Sequence, residues 1–149
     1  MLEAVRARKV VTMAGAGVLD DAVVLARRGR VLDVVPFVDL DGSVVGQVDD
    51  LGDVVLMPGL INAHSHLELS HMRDATVLGE GFSQWVSSLV GGPVDDLDAE
   101  SLAWAVGRLK ADGVTYVGDI VSRNARKVAA ILESEGIGFN LFIEMIGHG

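Results

Sequence analysis

The stretch Pro58-Gly59-Leu60-Ile61-Asn62-Ala63-His64-Ser65-His66-Leu67-Glu68-Leu69-Ser70 decides how this chain is read. It continues the apolar run Val54-Val55-Leu56-Met57, passes through Pro-Gly and ends in Asn-x-His-x-His. The apolar part has the composition of a buried strand. On a strand, residues i and i+2 point to the same side, separated by about 7 Å of strand rise. His64 and His66 therefore project together, with Ser65 facing away. Two neutral imidazoles so placed converge on one divalent cation; zinc suits imidazole best, and iron is the alternative. A cation held there polarises bound water. His-x-His alone is a weak motif, and a lone histidine is more often a surface or satisfied core residue. The apolar strand, the Pro-Gly and the strand-end position together make this instance far more specific.

The bulk properties narrow the chemistry further. The 149 residues are enough for one ordinary domain or part of a larger one, and 50% of them are apolar, so a sizeable core can form. A formal charge of -9 argues against nucleic acid or an acidic membrane as partner, since both need a basic surface. With no cysteine, disulfides and thiolate sites are excluded, and any metal must be held by His, Asp or Glu. The segment Met1–Val11 lacks the apolar core of a signal peptide. No apolar run approaches the roughly 20 residues that span a bilayer. The expectation is a soluble cytoplasmic protein acting on a small molecule.

Outward from the histidines, the chain changes character at residue 56. Residues 1–56 read as short strands. Ala22–Ala26 and Val31–Val35 form a hairpin across a turn at Arg27–Arg30, where Gly29 supplies positive φ. Pro36 and the Asp/Gly-rich stretch 39–53 mark further turns. This predicts a small antiparallel sheet. From residue 57 onward, strands alternate with helices. Phe82, Trp85, Val86 and Leu89 recur at helical spacing. Asp98 caps a helix whose apolar face is Leu102, Ala105, Val106 and Leu109, and Gly113 ends it. A strand follows over Val114–Ile120. Ser122 is placed to cap the next helix, with Ala125, Val128, Ala129 and Leu132 inward and Gly136 after its end. A third strand covers 137–147. The alternation predicts an α/β fold with a parallel sheet and crossover helices.

Other polar residues are candidates by position. Glu68, two residues past His66, points to the same side if the strand continues, and contacts substrate or orients a ligand; the competing reading is a solvated loop carboxylate. Trp85 walls a pocket or joins the core. Asp119 ends the second strand, a position that faces the active site in a barrel; helix capping beside Ser122 is the favoured reading. Glu144, late in the third strand, is costly to bury alone and is a candidate for substrate contact. His71 reaches a pocket rim or, as the favoured reading, is a surface histidine, and His148 has no assigned role.

The residues "LMPGLINAHSHLELS" resemble the first barrel strand of the amidohydrolase superfamily. That resemblance implies a (β/α)8 TIM-type barrel beside a small β-sandwich. Residues 1–56 then form part of the sandwich, and 57–149 the first three β/α units of the barrel. "NAHSHLELS" is similar to the cytosine deaminase, guanine deaminase and chlorohydrolase branch, which holds one metal. Dihydroorotase and hydantoinase relatives carry Asp where this chain has Asn62. "HLELS", "GFSQWVSSL" and "LFIEMIG" look similar to aminodeoxyfutalosine deaminases, which remove an amino group from an adenine-like base. The resemblance implies His64 and His66 as metal ligands and hydrolytic deamination of an amino-substituted, purine-like or other nitrogen heterocycle. Dechlorination or amide hydrolysis on the same scaffold is the alternative.

A (β/α)8 barrel takes about 250 residues, and only three barrel strands are countable here. In the family the remaining ligands and a Glu proton shuttle come from later strands, and none is located in this chain. The expectation is therefore the N-terminal part of such an enzyme, with an incomplete barrel, inactive alone. Three further possibilities are open: a homo-oligomer, a non-catalytic fragment that completes a barrel with a partner chain, and a small stand-alone α/β domain without metal.

Overall fold

The computed structural model describes residues 2–75, 79, 81–90, 92 and 97–145. The chain divides into two compact units, Met1–Pro58 and Gly59–Gly149.

In the first unit, β1 (Glu3–Val11), β2 (Val18–Arg27) and β3 (Arg30–Pro36) form an antiparallel meander. The β2–β3 turn has both central residues in the left-handed region, Arg28 at φ 53° and Gly29 at φ 73°. That is the hairpin geometry whose twist matches the flanking strands. Two short strands, β4 (Asp49–Asp50) and β5 (Val55–Leu56), then run parallel to β1. The sheet is therefore mixed rather than wholly antiparallel, because the chain after β3 returns to lie along β1 in the same direction. Its core is built on Ala7, Val10 and Ala22, with Leu19, Val24, Val34 and Leu56 packed against them. Ala7 and Ala22 are register partners across β1 and β2.

The second unit carries the strand–helix alternation. Its strands β6 (Leu60–Ser65), β7 (Val114–Val121) and β8 (Gly138–Ile143) are all parallel, in the order β6-β7-β8. Between β6 and β7 lie a 3-10 helix (Leu67–Met72), α1 (Phe82–Val90) and α2 (Ala99–Ala111); between β7 and β8 lies α3 (Ala125–Ser134). Local signals set most boundaries. Asp98 Oδ1 accepts the Ser101 N–H at 2.7 Å, which satisfies one of the unpaired donors of the first turn of α2. Gly113 and Gly136, at φ 79° and 70°, follow α2 and α3 in the left-handed conformation that ends helices. Leu102 and Val106 of α2 meet Val117 and Val121 of β7 and Val128 and Leu132 of α3 in one core cluster.

The first of these strands departs from expectation. β6 is not buried: Leu60 is 46% and Ile61 70% exposed. Among the described residues β6 pairs only with β7. In a three-stranded sheet only the middle strand is flanked on both sides, and that strand is β7, where Val117, Gly118, Asp119 and Val121 are buried. Among the described residues, no helix is long and apolar enough to cross a membrane.

Candidate metal and substrate site

The carboxyl end of β6 is irregular. Its register against β7 slips between Asn62 and Ser65, and such a bulge re-aims side chains. Gly118 of β7 makes room for the slip, since a Cβ there would sit 2.7 Å from the Ala63 carbonyl oxygen. The Asn62 side chain accepts the His64 N–H at 3.2 Å. The rings of His64 and His66 lie 5.1 Å apart between centroids, inclined at 75°. The two histidines are thus brought together, with His64 exposed and His66 half-buried.

Two buried carboxylates hold the turn that follows. Asp119, fully buried on β7, accepts the Ser65 hydroxyl at 2.7 Å and the Leu67 N–H at 2.8 Å, both on Oδ1. Its other oxygen has no hydrogen-bond partner among the described residues. Burial pushes the Asp119 carboxyl above its usual range, partly opposed by those two donors and by the neighbouring His66. Glu68 is 4% exposed. Its Oε1 accepts the Ser122 N–H at 2.8 Å and the Ser122 hydroxyl at 2.7 Å. Its Oε2 accepts the N–H groups of Arg123 and Asn124, each at 3.1 Å. Burial alone would raise the Glu68 carboxyl, but the Ser122 hydroxyl and the three N–H groups outweigh it and hold it below its usual value.

These contacts revise several expectations. Glu68 is neither a solvated loop carboxylate nor an unengaged substrate contact, because both its oxygens are occupied by the β7–α3 turn. Neither Asp119 nor Ser122 caps α3. The residue at the cap position is Asn124, which makes no side-chain cap bond, and the acceptor for this turn comes from Glu68, 54 to 56 residues earlier. Glu144 is exposed and lies just past β8, so it needs no buried partner; its N–H bonds the Val121 carbonyl at 3.0 Å.

A cavity of about 630 Å³ opens beside this turn, lined by His66, Glu68, Trp85 and Glu144 among others. His64 is not in its lining. Arg73 and Trp104, which sequence reasoning passed over, also border it. The Arg73 guanidinium sits 4.7 Å from the Trp104 ring centroid, a cation–π distance. Trp104 lies off the apolar stripe of α2 and is 51% exposed; a large aromatic outside the stripe was the available signal. Among the described residues, no group of three or more His, Asp or Glu side chains is placed to hold a metal ion. His148 lies outside the described residues.

Parallel strands joined by helices, with polar groups gathered at the strands' carboxyl ends, define an α/β protein of the kind that binds ligands at that end of the sheet. The chain belongs to the amidohydrolase family, whose model matches residues 55–146. Among solved structures, it resembles Helicobacter pylori aminofutalosine deaminase in complex with methylthio-coformycin, at 23% identity and a TM-score of 0.86, covering 99% of this chain and 36% of that one. Triazine hydrolase from Arthobacter aurescens is similar at 19% identity and a TM-score of 0.77, covering 99% and 36%. Guanine deaminase from C. acetobutylicum with bound guanine is similar at 14% identity and a TM-score of 0.72, covering 95% and 36%. At these identities the likeness is one of fold. The chain spans little more than a third of the length of each. No curated protein matches it at a significant level.

Proposed function

We propose that these residues supply the N-terminal portion of a metal-dependent hydrolytic deaminase acting on an amino-substituted nitrogen heterocycle of purine type. The observation that carries the reading is the convergence of His64 and His66, 5.1 Å apart, at the carboxyl end of a parallel strand. The donor set suits one divalent cation, zinc above iron: two imidazoles and no thiolate. When bound, the metal supplies Lewis-acid activation of water for attack on the carbon bearing the amino group. His64 and His66 hold it. Trp85 offers an aromatic wall for a planar ring, and Glu144 an exposed carboxylate for a polar substituent, both on the cavity that His66 also lines. Glu68 fixes the β7–α3 turn, whose Ser122 lines the same cavity.

Residues 1–56 are read as part of the β-sandwich and 57–149 as the opening three β/α units of the barrel; the division into compact units after Pro58 supports the reading. A catalytic zinc site has three protein ligands, and His64 and His66 make two. We therefore expect this polypeptide by itself to be inactive and to need further barrel strands for catalysis. Zinc titration of the wild type against the His64→Ala/His66→Ala double variant tests the metal reading: binding lost in the double variant supports it, and equal binding refutes it. For the reaction, the chain is combined with a polypeptide carrying the remaining barrel strands. Ammonia release from aminopurines supports deamination. Chloride release from chlorinated heterocycles would favour dechlorination on the same scaffold instead.

A further inference from the structure

We propose that Asp119 is a positioning residue for His66, tying the Ser65 hydroxyl before that histidine and the Leu67 N–H after it to a single carboxylate oxygen. Its link to metal binding rests on the reading of His66 given above; the geometric claim does not. Oδ1 of Asp119 accepts from Ser65 and from Leu67, the residues immediately before and after His66. This is the point at which the ladder of β6 ends. Ser65 is its last paired residue, opposite Asp119 itself, and His66 leaves strand geometry at φ −133°, ψ 70°. The flank of β6 is exposed, so neighbouring strands do little to fix this residue. Asp119, by contrast, is fully buried in the middle strand, so its carboxylate has a rigid base. His64 has its own restraint in Asn62, whose side chain accepts the His64 N–H. Each imidazole is therefore aimed by a different side chain, one local and one 53 residues away in sequence. The second Asp119 oxygen takes no part in the turn, so a neutral amide, which retains Oδ1, suffices for the task.

The test is NMR of the 149-residue protein carrying isotope-labelled histidine, following the cross-peak between the rings of His64 and His66, with Co²⁺ titration in parallel. Asp119→Ala is expected to abolish the cross-peak and to weaken Co²⁺ binding by about tenfold or more, the usual effect of losing an outer partner of a metal ligand. Asp119→Asn is expected to restore both. Val128→Ala, a cavity in the core on α3, is the control for general destabilisation and is expected to keep the cross-peak. Ser65→Ala removes one of the two donors and is expected to weaken the cross-peak, which decides the matter if Asp119→Ala does not fold. An Asp119→Ala or Ser65→Ala protein with an unaltered cross-peak overturns the proposal, as does equal loss in Val128→Ala. Absence of Co²⁺ binding by the wild type would refute the metal reading alone, and the cross-peaks would still judge the clamp.

Discussion

Replacing Glu68 by Gln should destabilise the second unit at neutral pH by about 3 kcal/mol. The carboxylate receives four hydrogen bonds, two on each oxygen, three of them from the backbone N–H groups of Ser122, Arg123 and Asn124. A glutamine keeps one oxygen and turns an NH2 group toward the other pair of donors. Two charge-assisted bonds are lost, each worth about 1.5–3 kcal/mol and not additive. With a urea slope near 2 kcal/mol/M, the unfolding midpoint followed by circular dichroism should fall by roughly 1.5 M without a change in slope. The effect should depend on pH with a definite sign. The folded carboxyl lies below its usual value. Its stabilisation is therefore complete above the ordinary glutamate value of about 4.3 and is lost as pH falls through the lowered folded value. The gap between wild type and variant should shrink in that window. Amide exchange at residues 122–124 should accelerate in the variant. A loss below about 0.5 kcal/mol, within the range of ordinary surface substitutions, would refute the claim that Glu68 holds the turn.

Three further outcomes follow from the same geometry. Asp119→Asn should unfold within about 1 kcal/mol of the wild type at pH 7, since both Oδ1 bonds survive. Because the Asp119 carboxyl is raised by burial, the wild type loses stability as pH rises through the raised folded value, so the variant should gain relative to it there; urea titrations at several pH values check this. Gly118→Ala should cost about 1–3 kcal/mol by overpacking, with exchange accelerated along β6, because the new Cβ would sit 2.7 Å from the Ala63 oxygen. Leu132→Ala, at a fully buried position on α3, should cost about 2–5 kcal/mol in thermal or urea unfolding.

Much of the architecture was legible without coordinates. The boundaries of α2 were readable because Asp98 and Gly113 act on their own neighbours, and the β2–β3 turn because Gly29 carries its own conformational preference. Period-2 and period-3.6 patterns are likewise local. Side-chain alternation pointed to the pairing of His64 with His66, although the strand ends at Ser65 and His66 has already left strand geometry. Burial of β6 was misread because apolar composition reports what a strand is able to bury, whereas exposure depends on which strands lie beside it.

By itself, the sequence determined the strand–helix order and the helix ends. Each of these arises from contacts within a few residues. Only the tertiary structure decided what the polar side chains near the end of β6 do. Glu68 reaches the β7–α3 turn, Asp119 reaches back to Ser65 and Leu67, and Arg73 and Trp104 meet Trp85 and Glu144 around one cavity. The carboxylate bonds join residues 52 to 56 apart in sequence, across separations that leave no periodic trace. A carboxylate takes its role from the donors that folding brings to it, and here four of the six are backbone N–H groups, the other two being the hydroxyls of Ser65 and Ser122.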